Sequence, residues 1–106
     1  MTFREGSADI TPESYSILNQ VALVMRAHPE IRRIRVEGNT DELGTHEYNM
    51  TLSRQRAARV RGYLIARGVR PSRLSAVGYG PDRPLVRGNT EAAHAKNRRV
   101  EFVVEE

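Results

Sequence analysis

Two side chains in this sequence are of the right type, and in the right kind of place, to grip a small ligand: Arg56 and Asp41. Arg56 lies four residues after Leu52 and four before Val60, on a helix stripe that should otherwise be apolar. A guanidinium turned inward is costly unless something anionic and hydrogen-bonding meets it. Asp41, at the C-terminal end of a predicted strand, is a suitable partner. With a helix starting near Tyr48, Arg56 stands about 12 Å along it at 1.5 Å per residue. The loop from Asp41 to Glu47 can return over that distance. Two chemistries stay open. The pair can be a plain buried ion pair tying loop to helix. Held slightly apart, the same groups recognise a zwitterion, the guanidinium taking a carboxylate with two parallel bonds and the carboxylate taking an ammonium. The C-terminal edge of a strand beside a helix start is also where open α/β sheets place ligands.

The elements that must position these residues can be read from pattern. Thr11-Pro12-Glu13 carries a hydroxyl cap, a proline at the first helical position and an acid in the first turn. Ile17, Leu18, Val21, Val24 and Met25 then recur at helical spacing, and His28-Pro29 stops the run. Ile34 to Gly38 alternates apolar and charged residues, which predicts a half-buried strand, and Gly38-Asn39-Thr40-Asp41 leaves it as a turn. A second helix is predicted from between Thr45 and Asn49 to Ala66, with Leu52, Val60, Tyr63 and Leu64 inward and Gly68 closing it. Pro71-Ser72-Arg73 turns the chain into a strand from Leu74 to Tyr79. A short helix is expected within Asn89–Ala95, and a last strand over Arg99–Val104 with Val100, Phe102 and Val104 inward. Thr2-Phe3-Arg4 is expected as a short first strand. The order β-α-β-α-β-β predicts an α/β two-layer sandwich, its two main helices on one face of a mixed sheet. Arg35, Glu37, Arg99 and Glu101 are expected to pair across strands on the open face.

Composition narrows the chemistry. The chain has 106 residues and no cysteine, which removes disulfides, thiolate zinc sites and cysteine nucleophiles together. No apolar run approaches the ~20 residues that cross a bilayer, and no basic-then-apolar signal segment follows Met1. Either a cytoplasmic chain or a domain cut from something longer fits that. Residues 1–53 carry five arginines against eight acids, a net −3; residues 54–106 carry twelve bases against five acids, a net +7, for the overall +4. Seven arginines and no acid lie between Arg54 and Arg73, a block that raises nucleic acid as a partner.

Weaker signals fall to simpler readings. His28, His46 and His94 have no metal-ligand spacing to each other or to carboxylates, and read as surface histidines. Ser53, His46 and Asp41 lack the nucleophile elbow and the Gly-rich oxyanion turn of a hydrolase. Gly78-Tyr79-Gly80 is a turn and no phosphate loop, because Pro81 removes an amide donor and no helix start follows. Tyr15, Tyr48, Tyr63 and Tyr79 fall on different elements, so no stacking ladder is expected.

Taken together, Gly38-Asn39-Thr40-Asp41, Tyr48-Asn49, Leu52-Ser53, Arg56-Ala57, Tyr63-Leu64, Gly68-Val69, Arg73-Leu74, Gly78-Tyr79-Gly80, Pro84, Asn89-Thr90 and Asn97-Arg98-Arg99-Val100-Glu101 resemble the OmpA-like peptidoglycan-binding domain. The resemblance runs over essentially the whole chain, from Phe3 and Ser7-Ala8-Asp9-Ile10 onward. The Asp41-to-Arg56 spacing and the closing Asn-Arg-Arg-Val-Glu are its specific parts. It departs at Asn39, where the family usually has histidine, and at Ala93-His94, where it usually has Gly-Arg.

The resemblance implies a non-catalytic module that holds the peptide stem of peptidoglycan through diaminopimelate. Asp41 would take that residue's ammonium and Arg56 its carboxylate; Asn49, Thr40 and Arg98 match positions lining the same groove, and Gly6 to Asp9 the loop that closes it. It implies no cofactor, no metal and no nucleic acid. It further implies a single domain over residues 1–106 excised from a longer envelope protein, periplasmic and associated with the outer membrane through an anchor in other parts of that parent. The competing expectation is a nucleic-acid binder using the Arg54–Arg73 block.

Overall fold

The computed structural model describes residues 1–105. After a 3-10 turn at Pro12–Ser14, the chain forms α1 (Tyr15–Ala27), β1 (Arg33–Asn39), α2 (His46–Ala66), a second 3-10 turn at Pro71–Arg73, β2 (Leu74–Gly78), α3 (Glu91–Asn97) and β3 (Arg99–Glu105). The sheet order is β2-β1-β3, with β1 parallel to β2 and antiparallel to β3. The α/β expectation holds, with three helices and a three-stranded mixed sheet.

Local chemistry accounts for the ends of α2. The Thr45 hydroxyl accepts from the Tyr48 amide at 3.1 Å, capping one of the amides that a helix start leaves free. At the other end Gly68 adopts φ +99°, donating to Ile65 O at 3.0 Å while Val69 donates to Leu64 O at 3.1 Å. That is a Schellman ending, and its apolar contact is supplied by the buried Val69 and Leu64.

Leu18, Ala22 and Met25 of α1 pack with Val36 of β1, Leu74 of β2 and Ala57, Val60 and Leu64 of α2 to make the core. α2 approaches the sheet unusually closely. A methyl group on Gly38 would lie 2.3 Å from Ser53 O, and one on Gly78 2.4 Å from the Arg54 amide. The two glycines are register partners in the parallel pair, so backbone rests on backbone where β1 and β2 end. This contact sets α2 against the turn that leaves β1.

Arg73 holds the opposite end of the layer pair. Its guanidinium donates to the carbonyls of Met25, His28 and Ile31 at 2.8, 3.1 and 2.5 Å, satisfying groups that the end of α1 leaves open. Asn97 does the same for the loop before α3, accepting from the Leu85 and Val86 amides and donating to Val86 O.

Several expectations are corrected. Thr2-Phe3-Arg4 is no sheet strand. Phe3 bridges Ile10 within its own N-terminal excursion, because the chain turns back at Gly6 (φ +66°) and closes on itself through Arg4 N to Asp9 O. Val104 keeps the expected phase but is 53% exposed, and Ile17 and Val24 are about half exposed, since α1 turns Leu18, Ala22 and Met25 to the core. On the open face Arg35 pairs with Glu37 and Arg99 with Glu101 along their own strands, each at 2.7 Å, and Arg35 also reaches across to Glu105 of β3 at 3.3 Å. The register puts Glu37 opposite Glu101, so each acid is neutralised from its own strand.

Candidate functional site

The turn after β1, the first three turns of α2, α3 and the N-terminal excursion enclose a groove of about 760 Å³. Thr40, Asp41, Asn49, Arg56 and Arg98 all line it, so the fold brings together every residue singled out from the sequence. Of the Gly6–Asp9 loop expected to close it, Gly6 alone lines this groove.

Asp41 is held from both sides. Its Oδ1 accepts from the Leu43 amide at 3.1 Å, and its Oδ2 accepts from Arg98 Nη1 at 2.8 Å. Arg98 then donates through Nη2 to Glu91 at 2.6 Å. Glu91 first, and Asp41 second, hold the Arg98 guanidinium above the ordinary arginine pKa. Asn49 and Thr40 support this arrangement. Asn49 Nδ2 donates to Leu43 O at 2.7 Å, and Thr40 Oγ1 donates to the Asp41 carbonyl at 2.8 Å, with both residues buried. They fix the turn that presents the carboxylate.

Arg56 sits differently. It is 8% exposed, its Nε donates to Ser7 O at 2.9 Å, and its guanidinium lies 4.9 Å from the centre of the Phe3 ring. Among the described residues it forms no ion pair, and its two terminal nitrogens make no hydrogen bond. Burial lowers its pKa from the ordinary value, Tyr48 and Asp41 pull it back up, and Arg98 adds to the lowering. Of the two chemistries open for Asp41 and Arg56, the direct ion pair is absent. Asp41 is close enough to act on Arg56 electrostatically, but its oxygens are engaged by Leu43 and Arg98. The site is therefore a fixed carboxylate and a buried cation with unused donors, both facing one groove.

The histidine reading is corrected at one position. His28 and His46 are exposed, beside Glu30 and Asp82, but His94 is only 5% exposed and its Nδ1 has no partner. It lies on the seven-residue α3, where Ala93 and Asn97 are buried with it. Asn39 Oδ1 is a second buried atom without a partner. Sequence reasoning gave no role to Glu91, which anchors Arg98, or to Tyr48, whose hydroxyl donates to Gly6 O at 3.5 Å across the groove mouth. Tyr48 carried a signal as part of the motif; Glu91 carried none. Two of the tyrosines do meet: Tyr15 and Tyr63 stack on each other with centroids 5.1 Å apart and planes 5° from parallel.

The OmpA family model matches residues 2–98. The chain belongs to the OmpA family. Over 100 residues this OmpA-family chain is 46% identical to a peptidoglycan-associated lipoprotein of Pseudomonas putida, covering 94% of the chain and 59% of that protein. It is 41% identical over 104 residues to the peptidoglycan-binding protein ArfA of Mycobacterium bovis, covering 98% of the chain and 32% of that protein. The crystal structure of the peptidoglycan-associated lipoprotein from Burkholderia pseudomallei superposes with a TM-score of 0.86 at 38% identity, covering 97% of this chain and 85% of that one. The OmpA-family chain thus spans well under two thirds of the length of the curated relatives it matches. No helix among the described residues is long and apolar enough to cross a membrane.

Proposed function

We propose that this domain binds peptidoglycan reversibly and without turnover, gripping the zwitterionic end of a stem-peptide diaminopimelate between Arg56 and Asp41. The observation that carries this reading is Arg56. A guanidinium that is 8% exposed, bonded through Nε alone and without a counter-ion, leaves two parallel donors for a ligand carboxylate. The ligand ammonium joins Arg98 at Asp41, whose Oδ2 already accepts from a cation. Thr40 and Asn49 keep the Asp41 turn in place, and Arg98 closes the side toward α3. Similarity to a peptidoglycan-associated lipoprotein and to a peptidoglycan-binding protein supports the ligand class.

In this reading residues 1–106 act as the wall-holding domain of a longer envelope protein, periplasmic and tied to the outer membrane by parts of the parent outside this chain. The nucleic-acid alternative gains no support, because the arginine block is dispersed. Arg56 enters the groove, Arg61 and Arg73 donate to backbone carbonyls, and Arg67 lies over the Tyr63 ring.

The test is co-sedimentation with insoluble diaminopimelate-type sacculi, alongside calorimetric titration with diaminopimelate. Wild type should sediment and titrate, and Asp41→Ala and Arg56→Ala should do neither while remaining folded. Variants that sediment like wild type would end the site assignment.

A further inference from the structure

A second groove, of about 1040 Å³, runs along the outer side of α2. It lies on the far side of the Gly6–Asp9 loop from the Arg56 groove, and Gly6 lines both. Its walls are the loop and Tyr15; its floor is α2, where Ala58 and Gly62 leave room between Gln55, Arg59 and Tyr63. At Gly62 an added Cβ would meet nothing within 4 Å, so this glycine is not required by packing. In a helix interior glycine is less favourable than alanine, so an unpacked one stands out.

The groove has an aromatic wall that is already rigid. Tyr63 is fixed by its hydroxyl donating to Asn19 Oδ1 at 2.8 Å, and the Arg67 guanidinium lies 5.2 Å from its ring centre. Tyr15 stacks parallel on Tyr63 and stays 39% exposed beside the groove. On the floor of the same groove Arg59 is loosely held, its only ionic neighbour among the described residues being Asp9 at 3.9 Å with both side chains exposed. An exposed ring with the amide of Gln55 and the guanidinium of Arg59 lining the same groove suits a pyranose: the ring takes the C–H face, and the donors take hydroxyl and acetamido oxygens.

We propose that this second groove is a saccharide subsite, holding an N-acetylated amino sugar of the glycan strand while the attached stem peptide occupies the Arg56 groove. The proposal rests on the peptidoglycan reading above and extends it across the loop. The Gly6–Asp9 loop is the ridge between the two subsites, and Arg56 pins it by donating to Ser7 O at 2.9 Å. A ligand of peptide and sugar together would cross the ridge at Gly6, which has no side chain of its own, beside the Tyr48 hydroxyl that donates to Gly6 O at 3.5 Å.

The experiment is calorimetric titration of the folded chain with three probes: diaminopimelate, the free stem tripeptide, and the disaccharide-tripeptide. The disaccharide-tripeptide should bind about tenfold more tightly than the tripeptide, the weight of one aromatic face and its hydrogen bonds. Gly62→Leu, which fills the groove from a helical position with open space around it, should abolish that advantage and leave tripeptide affinity unchanged. Tyr15→Ala should do the same. Equal affinity of wild type for the two peptides overturns the subsite, and so does a Gly62→Leu effect that is equal on both. Failure of diaminopimelate and tripeptide to bind, with the disaccharide-tripeptide still held and still lost in Gly62→Leu, keeps the saccharide subsite and ends the Arg56 reading.

Discussion

Arg56 and Arg73 both turn a guanidinium into the protein, from opposite ends of the layer pair, and they are treated in opposite ways. Arg73 meets three carbonyls from the end of α1 and the loop after it. Arg56 meets one carbonyl and the face of Phe3. An inward arginine whose donors are matched by the backbone works as a staple. One whose fork is left open, in a groove shared with a fixed carboxylate, is incomplete without an anion. The residue type is identical; the count of donors satisfied separates structure from site.

This contrast can be broken experimentally. The largest expected effect is on Arg56→Ala, which should cost 2–5 kcal/mol in ligand binding, roughly the penalty of stranding the partner charge. Its unfolding free energy should change by less than about 1 kcal/mol, because no ion pair is lost. A large loss of stability with intact binding would reverse the assignment. Next, Arg73→Ala should show the mirror image: a loss of about 2–4 kcal/mol in chemical denaturation, from three charge-assisted bonds and exposed helix-end carbonyls, with ligand affinity nearly unchanged once folded.

A finer test replaces Arg56 with lysine. The ammonium keeps the charge but not the two-bond fork, so affinity should drop about tenfold at neutral pH. Burial, the main influence at this position, lowers the pKa of any cation placed there. Lysine starts near 10.4, so its depressed value means the bound carboxylate loses its counter-charge as pH rises through it. Arg56→Lys should therefore release ligand at alkaline pH where wild type holds it; parallel pH profiles would contradict the placement. The smallest effect is expected for Glu91→Gln. The Arg98–Glu91 pair is at the surface, with the Glu91 side chain 74% exposed, so stability and affinity should each move by no more than about 0.5 kcal/mol. A tenfold change in binding would make Arg98 a much more active participant than its exposure indicates.

Much of the scaffold was legible because its signals are local. Thr45 capping, Gly68 termination and the alternation in β1 and β3 each depend on a few neighbouring residues. Arg56 was legible because a charge on an apolar stripe breaks a periodic pattern. What escaped was tertiary pairing. Asp41 bonds to Arg98, 57 residues away, and nothing in either local pattern chooses Arg98 over Arg56. Tyr15 and Tyr63 stack from two helices whose relative rotation only packing determines. The burial of His94 depends on where the short α3 lands. The first strand differs because a polar-apolar-polar Thr-Phe-Arg segment fits a sheet edge as well as it fits a loop closing on Ile10.

The paired glycines where β1 and β2 end carry a mechanical consequence. With Gly38 and Gly78 facing Ser53 and Arg54, helix backbone sits directly on strand backbone. Arg56 is two residues further along α2, and Asp41 three residues past Gly38. Tension applied to a ligand gripped by both would pass into the sheet through that stiff seam, and the two jaws would shift together instead of parting. A methyl group at either glycine would insert a spacer, and the first thing lost under load would be the alignment of the jaws.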